Sequence, residues 1–278
     1  MREFFKGTRP GRVVRCRTGD VELPILYFRD EAFGGIFGAD YESLRRLMPS
    51  KRLFPARTID GRGLVGVMAY DYLDTSAGPY GELAVAPIVV YGRQPPRTLP
   101  GWLESAWPGC GMLVMHLPVT AALARDAGRE IWGYTKFVAD MHFTSTPELL
   151  ECRLEEQGAH ILTLRIAKRG FVVRDRRPVV TYSVNHGDLV RTTIPQVSFA
   201  RSGLSGAGSW LRLDDNHPVA ESLRELDLDP IPLRTRYLLE HSFTLPEGEV
   251  IEHGVKPLDG YFGTMREHGA LELVHASA

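Results

Sequence analysis

The chain has 278 residues, 44% of them hydrophobic and 24% charged, with a formal net charge of −1. That balance is ordinary for a soluble globular protein able to bury a substantial core. It gives no electrostatic footprint for nucleic acid or an anionic membrane, and no apolar run is long enough to span a bilayer.

In chain order, residues 21–28 form the first expected strand, rich in β-branched and aromatic side chains. Asp40 then offers an N-cap for a helix over residues 40–47, which stops before Pro49. Strands are expected at 64–73 and 82–91, followed by a proline-rich loop or lid at 94–100 and a strand at 111–117. Residues 118–127 read as a helix with proline in its first turn and Gly128 as its C-cap. Strands follow at 137–144, 149–155 and 160–167, the last two joined by the hairpin signal at 156–159. Residues 179–184, 191–199 and 237–245 complete the strands. A small-residue loop is expected at 202–209, and a helix at 218–226 after Asp214, Asp215 and Asn216. The pattern is that of an α+β, β-rich single domain over residues 1–278, with its core at about 20–250, antiparallel strands and a few outer helices. Strand and helix do not alternate regularly, which argues against a doubly wound nucleotide fold.

HExxH, GxSxG and Walker A sequences are absent. The nine histidines are dispersed, and none pairs with another histidine or a cysteine at metal-ligand spacing. Cys16, Cys110 and Cys152 form no CxxC pair and no complete disulfide framework. The start of the chain, Met1 to Lys6, is charged and lacks the apolar core of a signal peptide. The expectation is a cytoplasmic protein with reduced thiols, no metal and no organic cofactor.

Only five of the 33 basic residues are lysine: Lys6, Lys51, Lys136, Lys168 and Lys256. Lys136 stands between Tyr134 and Phe137, with Trp132 four residues back and a turn at Gly133. An amine in such surroundings loses hydration, which disfavours the ammonium form. A neutral amine attacks a ketone, loses water and leaves an iminium, an electron sink that allows a neighbouring carbon bond to break. Arginine cannot do this. The residues alone leave a second reading open, a lysine that snorkels from a strand end into water.

The segment Gly128-Arg129-Glu130-Ile131-Trp132-Gly133-Tyr134-Thr135-Lys136 resembles the lysine-bearing motif of the acetoacetate decarboxylase-like superfamily. Residues 40–49, Met68-Ala69, Asp74-Thr75-Ser76, Tyr80-Gly81-Glu82 and residues 211–245 extend the similarity over most of residues 20–250. The resemblance implies antiparallel sheets curled into a barrel-like core and a homo-oligomer. It also implies a Schiff base at Lys136 and a proton-transfer role for Glu82. Tyr80, Trp132, Tyr134, Phe137 and Glu130 are the expected pocket residues, with Tyr70 and Tyr72 as further aromatic candidates, and the aromatic ones among them have a second reading as ordinary core and strand residues. Glu130 has a second reading as one half of a structural ion pair with an arginine. The chain departs from the family pattern at Phe137, where a second lysine is usual, and at Thr135, where proline is usual. It also has no match for an early-strand arginine, with Asp20 or a neighbour in that place. The implied substrate is a small keto acid or related carbonyl compound, converted by decarboxylation or by aldol condensation with dehydration. Two alternatives remain open: a binding barrel without covalent chemistry, and a lysine-independent cyclase or dehydratase using Glu82 and a tyrosine.

Overall fold

The computed structural model describes residues 4–98 and 107–264. Of the expected 94–100 loop, residues 99 and 100 lie outside that range, as do residues 1–3 of the charged N-terminal stretch. The elements are β1 (Arg12–Cys16), β2 (Gly19–Leu23), β3 (Ile25–Ala39), α1 (Tyr41–Leu47), β4 (Leu53–Pro55), β5 (Gly63–Thr75), β6 (Tyr80–Tyr91) and β7 (Cys110–Leu113). Next come α2 (Ala122–Trp132), β8 (Asp140–Ser145), β9 (Leu149–Glu156), β10 (Ala159–Ala167), β11 (Phe171–Asp175), β12 (Val179–Asn185) and β13 (Asp188–Ile194). The series closes with β14 (Gln196–Gly203), β15 (Trp210–Leu213), α3 (Pro218–Glu225), β16 (Arg234–Leu245) and β17 (Glu249–Glu252). Among the described residues no helix is long and apolar enough to cross a membrane.

The class is α+β and β-rich. The large sheet runs β11-β14-β16-β3-β5-β6-β7-β12-β13-β17, with β4 added against β6. A four-stranded sheet, β15-β10-β9-β8, stands apart from it, and β1 and β2 form a ribbon. Pairing is antiparallel except between β7 and β12, where Thr181 runs parallel to Met112. The large sheet curls without closing into a barrel, because β11 and β17 remain its two ends.

Alternation along β5 and β6 decides which side chains face inward. The inner face of β5 carries Gly66, Met68, Tyr70 and Tyr72, and that of β6 carries Glu82, Ala84 and Ala86. The small alanines leave space above the sheet. On the opposite face Val65, Val67, Leu83 and Val85 pack into the main core with β9 and β10.

Several boundaries differ from those read in the sequence. The second helix starts at Ala122 and continues through Gly128 to Trp132, and Gly133 caps it with φ 67°. Pro118 lies before the helix in an extended stretch whose backbone serves β6. The strand expected over 191–199 divides at Pro195, which has no N–H for the ladder. The third helix starts at Pro218 as expected, with His217 as its N-cap, the ring accepting from the Val219 N–H. The glycine-rich second half of β3 was not expected as a strand. At Gly34 a Cβ would collide with the backbone of Val67 and Met68, so the close β3–β5 approach requires glycine there.

Candidate active site

Lys136 and Glu82 are brought together by a strand-like segment that lies between them. Residues 116–119 bond to β6 on one side, through Val85 N–H to His116 O and Leu83 N–H to Pro118 O. On the other side Leu117 N–H donates to Thr135 O, and Val119 N–H to Phe137 O. Glu82 and Lys136 are therefore two strand spacings apart, roughly 9.5 Å between backbones, a gap that two long side chains close. The Lys136 Nζ donates to Glu82 Oε2 at 2.6 Å. Both residues are buried, at 4% and 8% exposure. Desolvating two charges is costly, and the pair keeps its geometry only because other groups hold it.

Those groups are mostly aromatic. Tyr72 donates to Glu82 Oε1 at 2.9 Å. The Tyr80 ring lies 5.7 Å from the lysine Nζ, and its hydroxyl pairs with that of Tyr27 at 2.6 Å. Phe243 stacks on Tyr27 at 4.0 Å. Burial and the negative charge of Glu82 push Tyr72 well above its ordinary pKa, and burial beside Tyr27 and Glu82 does the same to Tyr80. Burial carries Tyr134 up to about 12, against the lowering effect of its Thr181 partner. All three remain phenols, donors of protons.

The backbone around the lysine is tied as firmly. Thr135 Oγ1 donates to Met115 O at 2.7 Å. Arg129 spans two carbonyls, Lys136 O and Phe262 O, at 2.6 Å each. Gly260 packs so closely on Thr135 that a Cβ there would collide with the threonine side chain. Residues 255–264 thus form a strap over the lysine turn. The strap is fixed further by Tyr261, whose hydroxyl donates to Glu156 Oε2 at 2.6 Å.

A cavity of about 110 Å³ opens over Lys136 and Glu82, and Tyr70, Tyr72 and Tyr134 are among the residues that line it. Tyr80 touches the lysine from beside the cavity. Three expected pocket residues stand elsewhere. Trp132 is buried behind Tyr134, stacked on it at 6.0 Å, and its indole N–H donates to Pro246 O. Phe137 points to the opposite face from Lys136, as successive extended residues do, and packs against His217 and Tyr261. Glu130 is exposed on α2 and accepts from the backbone N–H of Arg17 at 3.1 Å; it does not line the pocket, and among the described residues it pairs with no arginine side chain. Sequence reasoning missed Tyr27, Phe243, Gln196 and His241, which reach the site from three distant strands. Their only signal was inward alternation within a β segment, which names no partner. Among the described residues, no group of three or more His, Cys, Asp or Glu side chains gathers where it could hold a metal ion.

The model of the acetoacetate decarboxylase family matches residues 16–192. No curated protein matches the chain significantly in sequence. Among solved structures, an acetoacetate decarboxylase from Legionella pneumophila is similar, with 17% identity, a TM-score of 0.64, and coverage of 90% of this chain and 94% of that one. The enduracididine biosynthesis enzyme MppR complexed with pyruvate has 12% identity and a TM-score of 0.58, over 84% of this chain and 94% of that one. An acetoacetate decarboxylase-like enzyme from Sphingomonas wittichii RW1 has 13% identity and a TM-score of 0.57, over 84% and 94%. At these identities the structural likenesses speak for the fold.

Proposed function

The chain belongs to the acetoacetate decarboxylase family, and on that premise we propose that it is a carbon–carbon lyase whose Lys136 amine forms a Schiff base with a keto substrate. The observation that carries the proposal is the buried 2.6 Å contact between the Lys136 Nζ and Glu82 Oε2 at the floor of an aromatic cavity. A proton passes from ammonium to carboxylate across that contact.

The amine adds to the substrate carbonyl to give a carbinolamine. Protonation by Glu82 releases water and leaves the iminium. With a β-keto acid, the bond to the carboxylate breaks, carbon dioxide leaves and its electron pair moves into the enamine. Glu82, having regained a proton from solvent directly or by way of Tyr72, gives it to the carbon, and water hydrolyses the product iminium to free the lysine. With a 2-keto acid and an aldehyde, the Glu82 carboxylate takes a proton from the carbon next to the iminium, the enamine so formed attacks the aldehyde, loss of water gives the unsaturated product, and hydrolysis frees the lysine. Phe137 packs away from the cavity, so the activation of Lys136 rests on Glu82 and the aromatic enclosure, with no neighbouring lysine.

Borohydride treatment in the presence of β-keto acids, pyruvate and simple aldehydes tests this by intact mass. A reduced adduct that maps to Lys136 and is absent from Lys136→Ala is the expected result. No adduct with any of them would overturn it. A second reading draws on the 2.9 Å Tyr72–Glu82 contact: a dehydratase that uses this acid pair without the lysine. It requires turnover that survives in Lys136→Ala and is lost in Glu82→Gln.

A further inference from the structure

The cavity over Lys136 does not end the accessible space. A second cavity of about 220 Å³ adjoins it, and seven residues line both: Gly66, Met68, Tyr70, Met112, Val179, Gln196 and His241. At this junction the polar side chains are those of Tyr70, Gln196 and His241, set among glycine, methionine and valine. We infer that these three form a distal subsite for a hydroxyl group, so that the substrate is an extended hydroxylated keto compound in preference to a short keto acid. The inference rests on the reading of Lys136 as the Schiff-base amine.

The three side chains face the same space for reasons of register. Tyr70 is on the inner face of β5. Gln196 lies opposite Phe243 in the β14–β16 pair, and His241 precedes Phe243 by two residues, so Gln196 and His241 are diagonal neighbours on one face. Each is held from behind. Gln196 Nε2 donates to Arg177 O at 2.7 Å, which fixes which end of the amide is oxygen. His241 Nδ1 lies 2.7 Å from Asp30 Oδ2, whose carboxylate is fully enclosed. The ring also stacks on Phe243 at 4.9 Å.

One of the three carries a buried atom that nothing matches. Gln196 is 7% exposed, and its Oε1 is buried without a hydrogen-bond partner. Tyr70 and His241 line the junction beside it, and with His241 Nδ1 engaged by Asp30 the Nε2 is left over for a ligand. A buried polar group without a partner is costly, and such positions call for a ligand or water. The junction offers a phenol donor, an amide acceptor and an imidazole that serves in either sense. A hydroxyl group, with one proton and two lone pairs, matches all three. A carboxylate would face the Gln196 oxygen with nothing to give it. An ammonium group would meet the outer cavity, where Arg177, Arg234 and Arg236 outnumber Asp175.

Methyl ketones of five to eight carbons, each with and without a terminal hydroxyl, test the subsite. Calorimetric titration reads binding, and borohydride trapping read by intact mass reports the lysine. At one or more chain lengths the hydroxylated member half-saturates the protein at a concentration about tenfold lower, the difference that one net hydrogen bond supplies. In Gln196→Met and in Tyr70→Phe the ratio within each pair falls towards unity, and because each ratio is internal to one variant, a partial loss of folded protein cancels. Equal binding of both members at every length, or a preference untouched in both variants, overturns the subsite. Adducts at Lys136 without any preference overturn it too, and leave the lysine reading standing. A preference with no adduct supports the subsite and overturns the lysine reading.

Discussion

The methylenes of Lys136 lie across Gly128: a methyl group at position 128 would stand 2.5 Å from both Cδ and Cε of the lysine. The glycine sits inside α2, where alanine is ordinarily the better residue by about 1 kcal/mol. Its presence leaves the groove along which the amine reaches Glu82. Gly128→Ala is therefore expected to fold with a melting temperature within a few degrees of the parent. Its borohydride-trapping rate falls by about 100-fold, since a displacement near 1 Å at the reacting atom has that order of effect. Rates of adduct formation beside a thermal melt check both halves.

Lys136→Met keeps the stem and removes the charge, which leaves Glu82 enclosed without its cation. Breaking a buried pair in this way costs about 3–5 kcal/mol. Adding Glu82→Gln removes the stranded charge, and the double variant is expected to regain most of that loss while staying inactive. Denaturant unfolding of the two single variants and the double variant gives the coupling directly.

Tyr72→Phe deletes the donor to Glu82 Oε1 and little else. A hydrogen bond to a charged group is worth about 1.5–3 kcal/mol, and that is the expected stability loss. Adduct formation slows while its dependence on ketone concentration is retained, because the tyrosine acts through the carboxylate. A variant that traps ketones at the parental rate would remove Tyr72 from the proton path.

Burial lowers His116 to about 4 from its ordinary value near 6.5, and repulsion from His217 adds to the effect. The unfolded chain thus binds a proton between those values that the folded chain refuses, so stability from this group is complete above pH 6.5 and is lost as pH falls towards 4. The loss amounts to roughly 3 kcal/mol at the acid end. Urea midpoints measured across pH 4–7 in the parent and in His116→Gln check this, and the variant is expected to show the shallower fall.

Arg129→Lys cannot hold two carbonyls with a planar fork. The Lys136 turn loses its tie to Phe262, and trapping is expected to slow by about tenfold or more, as positional errors at a nucleophile do. Restoration of the parental rate by free guanidinium ion would identify the fork as the missing part.

Local chemistry was readable in the sequence, and long-range pairing was not. Asp40 accepts from the Ser43 N–H as an N-cap aspartate should, and the inner face of β5 follows simple alternation. Gly128 was misread as a helix end because the chain does not say whether a glycine serves a positive φ or a close neighbour. Gly133 provides the turn, and Gly128 makes room for a side chain eight residues later. Lys136 and Glu82 are 54 residues apart, and only family resemblance linked them. Asp30 and His241 are 211 residues apart, with no motif to join them. Phe137 was placed in the pocket beside Lys136, yet neighbours in an extended segment point to opposite sides, and Trp132 closes α2 before the Gly133 turn, which leaves it behind Tyr134.

The strap formed by residues 255–264 carries a consequence for synthesis. Arg129 grips a carbonyl 133 residues further along, so the lysine turn is not braced until the strap has left the ribosome. A nascent chain holds its amine in water, as any surface lysine does, and stray aldehydes meet nothing unusually reactive.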